Sequence, residues 1–234
     1  MQENSFYTKT QLLLGSEALN RLKNSSVAIF GLGGVGSYAA EAVCRSGVGK
    51  LTLIDKDTVD ITNTNRQLYA LRSTISKEKS LVAKERCEDI NPDCKITAIT
   101  ASATPENIPE LLMGKYDFVI DAIDDVNAKV AIIKYCYENN IPVITSMGMG
   151  NKVDISKIAL STVEKTSVCP LARVIRKRLK DEGIKKIMCV YSTEEPIIRP
   201  EKPSSVVFVP AAAGLMMAGH VVTKIAEGTA TDQE

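Results

Sequence analysis

Residues 31–36 read Gly-Leu-Gly-Gly-Val-Gly. Glycine at Gly31, Gly33, Gly34 and Gly36 allows a tight turn whose backbone N–H groups can approach a phosphate, and a helix opening just after it would add partial positive charge. Asp55 follows 19 residues after Gly36, where a carboxylate at the end of a second strand can accept from a ribose hydroxyl. Taken alone, these residues favour a nicotinamide dinucleotide over ATP. A second cluster reverses that preference. Asn63-Thr64-Asn65-Arg66-Gln67 lies just beyond Asp55 and Asp57, and Lys79 comes 13 residues after Arg66. An arginine and a lysine beside a phosphate site can neutralise triphosphate oxygens and a departing pyrophosphate, which hydride transfer does not require. Lys77 and Lys84 read instead as a solvated face. A third group, Asp121-Ala122-Ile123-Asp124-Asp125, ends an apolar run. Carboxylates there can hold Mg²⁺ on phosphates or cap the next helix, the task assigned to Asp125.

The elements needed to gather these residues are legible in the pattern of apolar positions. Short apolar runs predict strands over 27–31, 50–55, 95–100, 117–123 and 142–146, and amphipathic stretches predict helices over 34–46, 77–90, 105–113 and 127–139. Residues 59–72 read as a loop too long for a mere connection. Strict alternation implies an α/β, Rossmann-like, doubly wound and mostly parallel sheet over about 25–147. After Gly148-Met149-Gly150 the pattern changes to a strand over 153–160, a basic helix over 170–181, a strand over 187–191, then a strand over 206–209 and a helix over 211–226, split by Pro210. This second lobe is expected to continue the same sheet. The division is therefore an N-terminal helical arm (1–24), a nucleotide-binding core (25–150) and a C-terminal substrate lobe (151–234), all in one domain.

The series Gly31-x-Gly33-Gly34-Val35-Gly36-Ser37, Asp55-Lys56-Asp57, Asn63-x-x-Arg66-Gln67, Lys79 and Asp121-x-x-Asp124 resembles the nucleotide site of ubiquitin-activating enzymes and of the adenylyltransferases of molybdopterin and thiamine biosynthesis. Asn91-Pro92, Cys169-Pro170-Leu171-Ala172, Val190-Tyr191-Ser192-Thr193-Glu194-Glu195 and Phe208-Val209-Pro210 narrow the likeness to the tRNA threonylcarbamoyladenosine dehydratases, and that likeness spans nearly the whole chain. The resemblance implies ATP-dependent cyclisation of the threonylcarbamoyl group on a tRNA adenosine, through an acyl-adenylate. It implies that Asp55 binds the ribose with Asp57 beside it, that Asn63, Arg66 and Lys79 contact the phosphates, and that Asp124 holds Mg²⁺. It further implies a homodimer in which an N-terminal residue of the partner reaches the γ-phosphate; the family commonly has Arg there, and this chain offers Lys9. It leaves room for a sulfur-transfer protein partner. The rival within the superfamily is adenylation of the C-terminal glycine of a small sulfur-carrier protein, against which stands the absence of C-x-x-C zinc pairs.

The chain has 234 residues, 44% hydrophobic and 24% charged, with a net charge of +1. No global field calls for a nucleic acid, and no DNA partner is expected. A local patch can serve tRNA: residues 165–186 carry eight Lys and Arg against two acidic residues, and Arg173, Arg176, Lys177, Arg178 and Lys180 fall within one predicted helix. Six cysteines without C-x-x-C spacing read as reduced, cytoplasmic thiols. Cys189 lies in an apolar strand and reads as structural, and no catalytic cysteine is named. The apolar stretch 205–223 invites a membrane reading; its small residues and its proline suit a buried closing helix better.

Overall fold

The computed structural model describes residues 5–198 and 204–228. Two short helices, α1 (Thr8–Leu14) and α2 (Ser16–Asn24), lead into β1 (Ser26–Phe30), α3 (Gly36–Arg45) and β2 (Lys50–Ile54). The core continues with α4 (Lys79–Ile90), β3 (Lys95–Ile99), α5 (Ile108–Leu111), β4 (Phe118–Asp121), α6 (Val126–Glu138) and β5 (Val143–Ser146). Then come β6 (Ile158–Thr162), α7 (Pro170–Asp181), β7 (Met188–Ser192) and α8 (Phe208–Glu227). The seven strands form one sheet in the order β3-β2-β1-β4-β5-β7-β6. All neighbours are parallel except β6, which runs antiparallel to β7 at the edge. The second lobe thus extends the first sheet, as the sequence implies.

Strand alternation divides the core in two. β1 sends Val27 and Ile29 into one layer and Ala28 and Phe30 into the other, the period-two geometry of an extended chain. The first layer is closed by α3, α4 and α8, the second by α5, α6 and α7. Because both faces are covered, the central strands are apolar throughout.

Three expected elements differ. The strand over 206–209 is absent, because Phe208 and Val209 already belong to α8 and Pro210 sits in that helix's first turn. A first-turn proline costs no hydrogen bond, since N–H groups there have no intrahelical partner; Pro210 belongs to the helix start and is no divider. The strand over 153–160 begins only at Ile158, because Asp154 accepts from Ser156 N–H at 2.8 Å and sets a 3₁₀ turn at Ile155–Lys157. The helix over 105–113 shrinks to one turn, with Asn107 bonded back to Thr104 N–H and Ser102 C=O.

α8 is long and apolar enough to cross a membrane by length and composition. Its hydropathy is accounted for by packing: Val209, Ala213, Met217, Val221 and Ile225 lie in the first core layer. A Cβ on Gly214 would stand 2.2 Å from the Val35 carbonyl, so glycine lets α8 close directly onto the start of α3.

Candidate active site

Parallel strands present their carboxyl ends to one edge of the sheet, and the crevice opens there between β1 and β4, where the strand order reverses. The cleft measures about 1010 Å³ and is lined by Gly31, Gly33, Gly34, Asp55, Asp57, Asn63, Arg66, Lys79 and Asp124 among others. The three separated groups of the sequence therefore meet in one cavity. Gly36 does not line it. Its part is structural: a Cβ there would lie 1.7 Å from the Gly31 carbonyl, so the turn closes only around glycine.

Asp55 fixes the turn from beneath. It is buried at the end of β2, accepting from Leu32 N–H at 2.6 Å and Asp57 N–H at 2.8 Å. Bonds of this kind to an ionised group are worth about 1.5–3 kcal/mol each. A carboxylate has further lone pairs to offer a ribose hydroxyl. Lys79 stands at the first position of α4, 5% exposed. Its ammonium meets Asp57 Oδ2 at 3.1 Å, and its backbone N–H donates to the Asp57 carbonyl. The lysine is thus held in the cleft by a half-exposed partner. Arg66 stretches its aliphatic stem over Gly34, and its Nη1 donates to Thr62 C=O and Asn65 Oδ1 at 2.9 and 2.8 Å. Asn63 Oδ1 accepts from Asp60 N–H. The 59–72 segment is therefore ordered by its own polar side chains and by Asn65, which donates to Ser205 C=O across the cleft mouth.

The acidic triplet divides its labour. Asp125 caps α6 by accepting from Ala128 N–H at 2.8 Å, as assigned from sequence. Asp124 is exposed and faces the cleft. Asp121 is wholly buried and bound to Lys129 Nζ and Thr145 Oγ1, both at 2.7 Å. Its carboxylate is therefore committed to a closed ion pair, leaving Asp124 as the free one. Lys129 carried no signal in the sequence; a lysine on a helix reads as surface. Among the described residues no three His, Cys, Asp or Glu side chains form a ready metal cage. The arrangement fits Mg²⁺, which takes one or two protein carboxylates and completes its shell with phosphates and water.

Other walls were not foreseen. The turn after β3 contributes Ala101, Ser102, Ala103 and Thr104, and the far side is built from Ser146, Met147, Gly148, Met149 and Gly150. The rule that ligands sit at strand carboxyl ends was the signal that could have found both. Behind the far wall Lys152 is buried, its ammonium donating to Ser192 C=O at 3.1 Å, and burial lowers its pKa. All six cysteines are free and buried. Burial pushes the Cys189 thiol up to about 12, which suits a structural thiol.

On α7, the five basic residues part company. Arg176 donates to Thr166 C=O and Oγ1 at 2.8 Å each, and Arg178 donates to Asn127 Oδ1. Arg173, Lys177 and Lys180 are exposed. Leu171, in the first turn of α7, lines the cleft, so the basic surface starts at the cavity's rim. Lys9, on exposed α1, does not line the cavity of its own chain.

The chain is similar to several known proteins. A tRNA threonylcarbamoyladenosine dehydratase of Bacillus subtilis (strain 168) is 43% identical over 235 residues, 92% of each chain. The crystal structure of Escherichia coli tRNA N6-threonylcarbamoyladenosine dehydratase, TcdA, in complex with ATP is 38% identical, with a TM-score of 0.90, covering 96% of this chain and 95% of that one. The sulfur carrier protein ThiS adenylyltransferase of Escherichia coli is more distant: 35% identical over 143 residues, 60% of this chain and 57% of that protein. The ThiF family pattern matches residues 7–233, and the chain belongs to the ThiF family.

Proposed function

We infer that this chain dehydrates threonylcarbamoyladenosine in tRNA at the expense of ATP. The observation that carries the reading is that Arg66, Lys79 and Asp124 converge on the cavity whose floor is the Gly31–Gly34 turn. A threonyl carboxylate oxygen attacks the α-phosphorus of ATP, forming a carboxyl–phosphate bond as the bond to the β-phosphate oxygen breaks. Arg66 and Lys79 supply positive charge where pyrophosphate departs. The ureido group already present in the substrate then closes on the activated carbonyl, loses its proton, and releases AMP, which carries away the former carboxylate oxygen. Ring closure within one substituent needs positioning and no protein nucleophile, in keeping with six buried thiols.

Asp124 is the residue we assign to Mg²⁺, whose chemistry is to neutralise phosphate charge during displacement. Asp55 is assigned to the ribose, Asp57 to Lys79, and Asn63 to the phosphate-side loop. The exposed basic stripe of α7 suits the tRNA backbone. Leu12 and Leu13 on α1 are 67% and 82% exposed, an apolar surface that suits a second copy of the chain, bringing the partner's Lys9 toward the phosphates. Reduced thiols favour a cytoplasmic setting.

The test is incubation with ATP, Mg²⁺ and tRNA bearing threonylcarbamoyladenosine, followed by mass analysis of the nucleosides. The expected product is that nucleoside less one water, with AMP in equal amount. AMP formation that requires a carrier protein's C-terminal glycine and ignores tRNA would overturn the reading in favour of the sulfur-carrier rival.

A further inference from the structure

Thr145 places a hydroxyl one residue before Ser146, which lines the far wall of the cleft. It lies on β5 opposite Asp121 of β4, and Asp121, Thr145 and Lys129 are each 0% exposed. The hydroxyl donates to Asp121 Oδ2 at 2.7 Å and accepts from Lys129 Nζ at 2.9 Å, while Nζ itself donates to Oδ2 at 2.7 Å. The three polar groups close a ring. Lys129 alone already neutralises the carboxylate. A buried ion pair adds little stability over apolar side chains of the same volume, so charge balance and stability leave the hydroxyl without a task.

Direction is what the hydroxyl adds. With Oδ2 taken by Lys129 and Thr145, Asp121 Oδ1 accepts from Ile123 N–H at 3.3 Å. The last torsion of an aspartate side chain is broad, so an ion pair by itself lets the two oxygens turn. A hydroxyl in register on the neighbouring strand selects one orientation and keeps Oδ1 on the 122–125 turn. The far end of that turn is fixed by Asp125, which caps α6 and whose carbonyl accepts from Lys129 N–H. Its near end packs under the glycine turn, with Ala122 C=O 2.9 Å from where a Cβ on Gly31 would stand. Asp124, facing the cleft, hangs between these anchors.

We propose that Thr145 is a positioning residue for the adenylation step: acting through Asp121, its hydroxyl sets the 122–125 turn and thereby the place of the Asp124 carboxylate. This rests on the assignment of Asp124 to Mg²⁺ given above. Groups that orient a metal's ligand from behind are worth about 10- to 100-fold in metal affinity or activity, and a displacement of about 1 Å at a reacting centre costs about 100-fold in rate.

Thr145→Val removes the hydroxyl, keeps the shape and leaves the Lys129–Asp121 pair in place; Thr145→Ser restores the hydroxyl. Two measurements test them beside Asp124→Asn: calorimetric ATP binding without tRNA, in Mg²⁺ and in EDTA, and single-turnover AMP formation with tRNA across a Mg²⁺ series. In Thr145→Val the gain in ATP affinity conferred by Mg²⁺ should shrink about tenfold, and AMP formation should slow about 10- to 100-fold. ATP binding in EDTA should stay within about twofold, and Thr145→Ser should recover most of both losses. Thr145→Ala takes the same measurements if Thr145→Val does not fold. A hydroxyl that serves stability alone would lower the melting temperature of the variant while Mg²⁺ gain and rate stayed at wild-type values, and that result would overturn the proposal. Asp124→Asn with an undiminished Mg²⁺ gain would instead overturn the metal assignment beneath it.

Discussion

Lys79 and Lys129 are lysines of nearly equal burial, each paired with an aspartate, and their surroundings predict opposite failures. Lys79 pairs with Asp57, whose side chain is 52% exposed. In Lys79→Met the orphaned Asp57 turns to water, so stability should change by less than about 1 kcal/mol. Activity should fall about 100- to 1000-fold with the loss of charge at the phosphates, read as AMP release in a single turnover. Lys129 pairs with Asp121 where both side chains are 0% exposed. Lys129→Met leaves a carboxylate with no cation in the core, and urea unfolding should report a loss of about 3–5 kcal/mol. Equal destabilisation of the two variants would refute the distinction. The sequence displayed Lys79 because its spacing from Arg66 and the glycine turn is chemical information. It hid Lys129 because its meaning lies in burial, and burial depends on which helix face the sheet covers.

At the level of elements, α7 shows how composition overstates a surface. Five basic residues sit on it, yet Arg176 closes the Thr166 turn and Arg178 reaches α6. On the proposed tRNA role, phosphate contact falls to the exposed Arg173, Lys177 and Lys180, spaced so that they share one face. Replacing these three with alanine should lower the slope of log affinity for tRNA against log salt by about 2–3, with ATP binding unchanged, as filter binding across a salt series would show. Arg176→Ala should instead lower the melting temperature, because the Thr166 carbonyl loses its partner. An unaltered slope in the triple variant would remove α7 from the tRNA path. Most strands and helices were legible because periodicity fixes them. Failures came where a side chain or proline decided a boundary: Asp154 turned an expected strand start into a 3₁₀ turn, and Pro210 opened a helix that it was expected only to precede.

For the whole molecule, the sheet completes a nucleotide cavity within one chain but leaves the arm unfinished. α1 buries none of its residues, while α2 buries Ala18, Leu19 and Leu22. Three consecutive leucines, Leu12, Leu13 and Leu14, are exposed on an element of seven residues. Helices this short are not stable on their own, so a covering surface is the physical expectation, and a second copy presents the same patch under twofold symmetry. By sedimentation velocity the wild type should therefore run as a dimer, and Leu12→Glu with Leu13→Glu should yield a monomer. Both side chains are exposed in the single chain, so its melting should move little beyond the loss of subunit coupling. If the partner's Lys9 serves the triphosphate, the monomer should bind adenosine normally and form adenylate at least tenfold more slowly. Full activity from a proven monomer would confine the whole reaction to the residues of one chain, and Lys9 would then be an ordinary surface lysine.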